Sequence, residues 1–415
     1  MDLYFIQPLL VLLAFAMAIG EAWLIYWGLC RMGGRWKQAV VPSEKKTSIE
    51  GLRGVLAFAV VIHHGFLWYR FSNAGFWGAG SSIVFGRLAD FGVLQFFYIS
   101  GYLFWRKLMR RGRVPLGQFY LSRFIRIGPV FYACVGMAFV IGLMVHGFYL
   151  QGGIGRLLGS TASWIAFSQA GMLKVGGVDI ELITAGVAWT LALEWDFYLL
   201  LPFLGWFARK AHRLIWLALI FGTILFVSRE FSVVHTAPQG WGEIARGVHY
   251  VTRYLILGFG GGILVAVLEP TLVRVIKLSP KMASGLLLGC YCAYLLVPGI
   301  VPLGNVLLLV GFALVVMGAD LFGMITSPGV RMLGLISYDL YVVHGIVYYV
   351  AMRSWGGAHL VTANRYIPEA MLCMTAAVLL SVLLHFFVER PTMLISERIA
   401  RRQAGDGRKS KLVTV

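Results

Sequence analysis

Residues 48–65 read SIEGLRGVLAFAVVIHHG, an apolar run that begins with Glu50 and Arg53 and ends with His63 and His64. In a continuous helix, His64 lies about 16 Å along the axis from Arg53 and only about 20° around it. These two side chains therefore share one face, whereas His63 points to a neighbouring face. The stretch predicts a helix that holds a cation at one end and carries an imidazole deep into apolar surroundings.

The whole chain is apolar enough to be a membrane protein. Of its 415 residues, 59% are hydrophobic and only 13% are charged, and the mean hydropathy is +0.79. A typical soluble domain carries about 25% charged residues. We therefore predict an all-α fold, namely a polytopic membrane helix bundle with about 10–11 transmembrane helices in a single membrane domain.

The net charge of +18 does not indicate nucleic-acid binding. Lys and Arg occur in short blocks between the apolar runs, as the positive-inside rule predicts for cytoplasmic loops.

The five cysteines lie within or at the ends of apolar segments, with no C-x-x-C pair and no clustered histidines. A disulfide framework and a zinc site are therefore both disfavoured, and we expect no metal.

Apolar runs of about 20 residues, the length that crosses a bilayer core, account for most of the chain. We predict spans near residues 4–29, 51–71, 86–105, 126–148, 187–207, 213–229, 250–268, 282–298, 300–320, 331–353 and 367–388. The weakly apolar piece 154–175 is expected to lie at the outer interface or to re-enter. The basic blocks then share the cytoplasmic side if the N-terminus is outside and the C-terminus is cytoplasmic.

The same pattern divides the chain into four parts. Residues 1–30 are expected to form an additional N-terminal membrane anchor, because no basic segment and no small-residue cleavage site marks a signal peptide. Residues 31–47 are expected to form a basic cytoplasmic linker. The membrane domain is assigned to residues 48–395, and a basic cytoplasmic tail to residues 396–415.

Ionisable and polar groups recur inside two other predicted spans. Glu194 and Asp196 lie in VAWTLALEWDFYLLLPFLGWF, and GLISYDLYVVHGIVYYV places Ser337, Tyr341 and His344 on one stripe, with Asp339 off it. Burying such groups in hydrocarbon costs several kcal/mol unless partners compensate. They predict a polar chamber that opens toward the cytoplasm, in which a carboxylate such as Glu194 orients a basic imidazole.

A midplane imidazole suits general base catalysis, because its ordinary pKa lies near neutrality. The arginines at the cytoplasmic mouth suit a polyanionic donor, because guanidinium groups match phosphate oxygens. The candidates are Arg53, Arg106, Arg123, Arg126 and Arg390. Most of the basic residues at 106–113 are interpreted as topology markers.

Five segments resemble the motifs of the acyltransferase 3 family of integral-membrane acyltransferases. In chain order they are IEGLRG…VVIHH with the Arg-x10-His spacing, FFYISGYLF with FYLSRFIRIGPVFY, WTLALEWDFYLLLP, LGLISYDLYVVHG and FVERP. The resemblance covers residues from about 48 to 391. The sequence departs from the family's motifs at three points. Ala192 replaces a frequent Ser, residue 196 is acidic, and an additional span precedes the helix that carries Arg53 and His64.

The resemblance implies transfer of an acyl group, usually acetyl, from cytoplasmic acyl-CoA as co-substrate to a hydroxyl of a cell-surface or lipid-linked glycan. It implies that Arg53 and His64 are essential, and it places the protein in the bacterial inner membrane among membrane lipid. The expected catalytic residues are His64, Glu194, His344 and Tyr341, and the expected donor-binding residues are Arg53, Arg123, Arg126 and Arg390. Further polar candidates are Glu50, His63, Ser100, Trp189, Asp196, Ser337, Tyr338 and Glu389.

Several alternatives stay open from the sequence. A proton-coupled transporter or flippase would use the same histidine and carboxylate groups as a relay, although no internal repeat supports it. A non-catalytic scaffold leaves the buried polar groups unexplained. Aromatic residues in 149–186 and 229–250 are expected either to meet the acceptor or to anchor the interface. A separate extracytoplasmic partner protein presents the acceptor, or none is needed.

Overall fold

The computed structural model describes residues 3–34, 36–37, 48–111, 116–147, 153–168, 174–175, 177–207, 253–298, 301–354 and 362–395. Within these residues the fold is all-α, as predicted, and the sequence did not predict the one small β-hairpin that it also contains. Most of the predicted linker, the predicted span 213–229, the stretch 229–250 and the tail 396–415 lie outside the described residues.

The helices follow the predicted segments. The first half contains α1 (Leu3–Met32), α2 (Ser48–Ala74), α3 (Ile83–Arg111), α4 (Leu116–His146), α5 (Gly153–Ile165), the antiparallel strands β1 (Lys174–Val175) and β2 (Val178–Asp179), α6 (Ile180–Ile183) and α7 (Ala188–Phe207). The second half contains the π-helical segment π1 (Arg253–Gly260), α8 (Gly261–Val275), α9 (Pro280–Leu296), α10 (Val301–Val316), α11 (Pro328–Leu335), α12 (Ser337–Ser354), α13 (Ala363–Leu384) and the π-helical segment π2 (His385–Glu389).

Six helical stretches of the described residues are long and apolar enough to cross a membrane: Gln7–Met32, Ser48–Ala74, Ile83–Met109, Leu116–Val145, Tyr254–Val275 and Asn364–Ile395. The pair α11 and α12 passes the same test as one span, bent by 69°. The predicted spans 187–207, 282–298 and 300–320 form the shorter apolar helices α7, α9 and α10. The protein is therefore a multi-pass membrane protein.

Helix α2 lies at the centre of the bundle. It is buried over most of its length and packs against α3, α11 and α12. Its apolar character on all faces is typical of a helix surrounded by protein. A Cβ atom at Gly54 would lie 2.6 Å from the backbone nitrogen of Gly334 in α11, so only glycine permits this approach. The central position of α2 carries Arg53 and His64 into the interior of the bundle.

The segment around the hairpin enters the bundle without crossing it. Helix α5 has 13 residues, about 20 Å, which is shorter than the roughly 30 Å hydrocarbon core. Beyond the hairpin, Ile180 and Ile183 are buried, and the backbone of Thr184 packs so closely on Gly345 of α12 that a Cβ atom there would overlap it. The part that packs beside His344 therefore lies beyond the piece 154–175, whose position at the interface or in a re-entrant loop stays a prediction.

One carboxyl group just after the hairpin has a buried oxygen without a hydrogen-bond partner among the described residues. Asp179 caps α6, because its Oδ1 accepts a 3.0 Å hydrogen bond from the backbone N–H of Leu182. The neighbouring Glu181 has a buried Oε2 atom with no such partner. Burial, aided by the nearby negative charge of Asp179, raises the pKa of Glu181 to about 7.

Candidate active site

The two histidines predicted on separate helices form a hydrogen-bonded pair. Nε2 of His344 lies 2.9 Å from Nδ1 of His64, and the two rings stack with their centroids 5.0 Å apart and an interplanar angle of 29°. His344 is fully buried, whereas His64 keeps some accessible surface. Helices α2 and α12 therefore meet at this imidazole pair.

The hydrogen bonds define the tautomers of both rings when they are neutral. Nδ1 of His344 lies 3.0 Å from the backbone oxygen of Leu340. A carbonyl oxygen only accepts, so this nitrogen carries the proton and Nε2 of His344 is an acceptor. Nδ1 of His64 must then donate to it. The lone pair on Nε2 of His64 then takes no part in the bond between the two histidines, which is the form that a general base requires.

His63 has a different environment, as its helical position predicted. Its Nδ1 atom lies 2.7 Å from the backbone oxygen of Phe85 in α3. Its ring meets that of His64 at 71°, with the centroids 5.1 Å apart. His63 thus ties α2 to α3 and is separate from the hydrogen bond between His64 and His344.

A cavity of about 320 Å³ opens on the side of Arg53. Its basic residues are Arg53, Lys107, Arg123 and Arg126, and we call the side of the bundle that holds them the basic end. Along α3 the cavity wall runs from Lys107 to Val93, about 21 Å of helix. Neither His64 nor His344 is among the residues that line it, but Tyr341, one turn from His344, is.

Three helices, α3, α7 and α12, supply hydroxyl and carboxylate groups inside the cavity. Glu194 of α7 accepts hydrogen bonds through Oε1 from Ser100, at 3.3 Å, and from Tyr198. Tyr341 and Thr190 share a hydrogen bond of 2.9 Å between their hydroxyl oxygens. Ser337 lines the cavity with a buried Oγ atom that has no hydrogen-bond partner among the described residues. The cavity is thus equipped to bind a ligand with both polar and apolar parts.

The structure corrects the role expected for Glu194. The partner of His64 is His344, whereas the hydrogen bonds found for Glu194 among the described residues come from Ser100 and Tyr198. The carboxylate therefore belongs to the cavity wall, and a backbone carbonyl fixes the imidazole pair. The sequence places Glu194 in the right chamber but does not give its distance from a histidine on another helix.

A buried ionic cluster lies behind the cavity. Nδ1 of His385 is 2.6 Å from Oε2 of Glu389 and 3.6 Å from Oδ2 of Asp339, and all three residues are almost fully buried. Oε1 of Glu389 lies 3.8 Å from Nη2 of Arg126, which lines the cavity. Tyr338, also a cavity residue, donates a 2.6 Å hydrogen bond to the backbone oxygen of Ile127.

The buried side chains of Asp339, His385 and Glu389 are of types that bind metal ions, and their ligand atoms lie within 4.8 Å of one another. The 2.6 Å contact is a hydrogen-bond distance, however, and the guanidinium of Arg126 already compensates Glu389. We therefore describe the cluster as an ionic network. The absence of a metal stays a prediction.

Several predicted residues lie apart from the cavity. Arg390 packs over the ring of Phe386, 5.9 Å from its centroid, and is not a cavity residue. Arg106 pairs with Glu269 at 3.3 Å. Because residues on one helix point in fixed directions, these arginines face away although their chain positions lie near the mouth.

Three further candidates also lie outside the cavity wall. Glu50 forms a 2.6 Å ion pair with the buried Arg331 of α11. Trp189 packs against Phe97 and Tyr254, with centroids 6.4 Å and 5.0 Å away. Asp196 is likewise not a cavity residue. The sequence assigned these residues to the site because of their type and depth, which do not determine the face they occupy.

Sequence reasoning missed other residues of the site. Thr190, Tyr198 and Lys107 line the cavity, and His385 is the centre of the ionic cluster. A helical signal for Lys107 exists, because it lies seven residues after Ser100 on the same face of α3. His385 has a comparable signal, four residues before Glu389.

Together these features define a polytopic membrane enzyme with a buried histidine pair beside a cavity with a basic mouth. A family model described as an acyltransferase domain matches residues 46–386. The chain belongs to the acyltransferase 3 family and is a membrane acyltransferase. No curated protein and no solved structure matches it.

Proposed function

We propose that this acyltransferase moves an acyl group, acetyl in the first place, from cytoplasmic acyl-CoA to a hydroxyl of a cell-surface or lipid-linked glycan. The observation that carries the proposal is the hydrogen-bonded chain from Leu340 through His344 to His64, next to a cavity with four cations at its mouth. The chain provides a base, and the cavity provides a place for a long anionic donor.

The chemistry of the cavity fits the donor in two respects. Guanidinium and ammonium groups at the basic end suit the phosphates of CoA, since such charge-assisted hydrogen bonds are the strong ones. The largely apolar wall along α3, about 21 Å from Lys107 to Val93, suits the narrow pantetheine arm. In this orientation the thioester carbonyl approaches Tyr341 and Thr190, one helical turn from the histidine pair.

The histidine pair then moves the proton. Nε2 of His64 takes the proton of the acceptor hydroxyl as its oxygen attacks the thioester carbonyl carbon. His344 holds the ring in the correct tautomer and stabilises the imidazolium that forms. When the carbon–sulfur bond breaks, the imidazolium returns the proton to the CoA thiolate, so the products are an ester and free CoA.

Two neighbouring groups support this step. The Tyr341 hydroxyl, held by Thr190, is in position to donate a hydrogen bond to the oxyanion of the tetrahedral intermediate once the donor replaces that partner. A transient acyl group on Nε2 of His64 uses the same nitrogen, so the direct and the relayed route both need the tautomer described above.

The proposal includes an orientation. The basic end faces the cytoplasm of a bacterial inner membrane, the N-terminus lies outside and the C-terminus lies inside, as the positive-inside rule predicts. The donor and the acceptor then approach the histidine pair from opposite sides. Surface-polysaccharide acetylation is the process we assign, with a separate extracytoplasmic protein as a candidate to present the acceptor.

Binding of CoA and acetyl-CoA to the detergent-purified protein tests the donor assignment. We expect saturable binding that weakens roughly 10- to 150-fold in Arg53→Ala, because charged hydrogen bonds contribute about 1.5–3 kcal/mol, and less in Arg53→Lys. His64→Ala should bind acetyl-CoA normally and lose transfer. No binding by a folded wild-type preparation overturns the donor, and normal transfer by His64→Ala overturns the base.

A further inference from the structure

The end of the cavity furthest from its basic residues is lined mainly by apolar side chains, and we call it the apolar end. Val93, Phe96 and Phe97 of α3 and Leu191 of α7 line this end, and Thr190 and Tyr341 supply its polar edge. On α3, Phe97 lies ten residues from Lys107, about 15 Å further from the basic end. A donor bound with its phosphates at the mouth would place its acyl group here.

The walls of this apolar end are held in place by aromatic packing. The ring of Phe97 packs on Phe259 with centroids 4.6 Å apart, and Phe259 stacks on Phe197 at 4.1 Å. On the other side, Phe96 meets Tyr341 in an edge contact at 6.1 Å. Close-packed walls of this kind do not recede to admit extra atoms. The space beyond the thioester therefore accommodates only a few carbon atoms.

Charge also differs between the two ends of the cavity. The four cations lie at the basic end, whereas the apolar end presents only apolar side chains and the hydroxyls of Thr190 and Tyr341 among the described lining residues. The carboxylate of Glu194 lies between the two ends. A second carboxylate on the acyl group would lack a cation there and would approach a negative side chain, which is costly at this burial.

We propose that the apolar end is an acyl subsite and that Phe96 limits it to short, uncharged acyl groups. The inference rests on the proposed acyl-CoA donor and adds a residue that determines which acyl group is accepted. Phe96 is the determining side chain because it is the half-buried member of the wall, while Phe97 is fixed by the rings behind it.

Equilibrium binding of CoA, acetyl-CoA, butyryl-CoA and succinyl-CoA to the full-length protein in detergent tests this subsite. Wild-type protein should bind acetyl-CoA at least ten-fold more tightly than butyryl-CoA or succinyl-CoA. In Phe96→Ala the affinity for butyryl-CoA should rise about fifteen-fold relative to acetyl-CoA, the factor expected for burying two methylene groups. Succinyl-CoA should stay weak, because Glu194 is unchanged.

Leu103→Ala is the matched control. Leu103 lines the cavity on the same face of α3, two turns nearer the basic end, so its loss should affect all four ligands equally and leave their ratios unchanged. Binding of free CoA, which has no acyl group, shows that each variant is folded. Phe96→Leu, a smaller change, should give an intermediate ratio if Phe96→Ala does not fold.

The outcomes separate this inference from the proposed donor. If all variants bind CoA but the ratio of butyryl-CoA to acetyl-CoA affinity stays constant in both Phe96 variants, the acyl subsite is wrong and the donor assignment stands. If succinyl-CoA binds wild-type protein as tightly as acetyl-CoA, the charge argument fails. If folded wild-type protein binds none of the four, both proposals fail together.

Discussion

Replacement of His344 by alanine tests the tautomer argument most directly. The substitution removes the 2.9 Å acceptor of the Nδ1–H group of His64 in a site where His344 itself is fully buried. An unpaired buried donor costs about 1–3 kcal/mol, and we expect that cost to appear in the population of correctly oriented His64. The corresponding loss in kcat is roughly 5- to 150-fold.

The Michaelis constant for acyl-CoA should behave differently. His344 does not line the cavity, so KM for acetyl-CoA should stay at the wild-type value in His344→Ala. The assay is the initial rate of radiolabelled acetyl transfer from acetyl-CoA into inverted membrane vesicles of the producing cells, over a range of donor concentrations that reaches saturation, so that both kcat and KM are obtained. His344→Gln retains an acceptor oxygen and should recover part of the lost kcat.

His63→Ala is the control for this experiment. It removes an imidazole of the same size from α2, the helix that carries His64, but the hydrogen bond of His63 goes to the backbone oxygen of Phe85 and not to the pair. The reasoning is refuted if His344→Ala turns over at the wild-type rate, or if His63→Ala loses as much kcat at an unchanged KM.

Three further predictions concern stability in detergent. Glu181 has a folded-state pKa of about 7, raised from 4.5. Its contribution to stability is therefore fully present below pH 4.5 and is lost as the pH rises through 7, a loss on the order of 3 kcal/mol. Thermal unfolding of Glu181→Gln should lack this pH dependence. Gly345→Ala should lower the Tm because the new Cβ overlaps the backbone of Thr184, at a cost of about 1–3 kcal/mol. The control Gly136→Ala has open space around the new Cβ and should leave the Tm unchanged. Equal Tm values for the two variants would contradict the close packing at Gly345. His385→Ala removes the imidazole that bonds Glu389 at 2.6 Å and faces Asp339 at 3.6 Å, and it should cost about 3–5 kcal/mol. A chelator should not change the wild-type Tm, and a chelator-induced drop would instead favour a metal ion in the cluster.

The sequence predicted the helices well because each one is encoded locally. An apolar run of about 20 residues has few structures open to it in a bilayer, since every backbone group must be paired within the segment. The 3.6-residue period then fixes which side chains share a face of one helix. For this reason the stripe of Ser337, Tyr341 and His344, the off-stripe position of Asp339 and the separate direction of His63 could all be predicted.

The local sequence does not predict how one helix is rotated against its neighbours. Arg390 and Arg126 both lie near the predicted mouth, but only Arg126 lines the cavity, because the rotation of each helix against its neighbours depends on packing. Helix packing also decides the partners of Glu194. The sequence predicted that Glu194 orients an imidazole, but Glu194 accepts hydrogen bonds from Ser100 and Tyr198 instead.

By itself, the sequence determined the all-α membrane fold, the positions of its helices, the Arg-x10-His stripe and the resemblance to the acyltransferase 3 family. Only the tertiary structure decided that His64 and His344, 280 residues apart, form one hydrogen-bonded pair, and that His385 joins Asp339 and Glu389. The physical reason is that helical periodicity acts over a few residues, whereas the depth and rotation of one helix against another result from side-chain packing across the whole bundle.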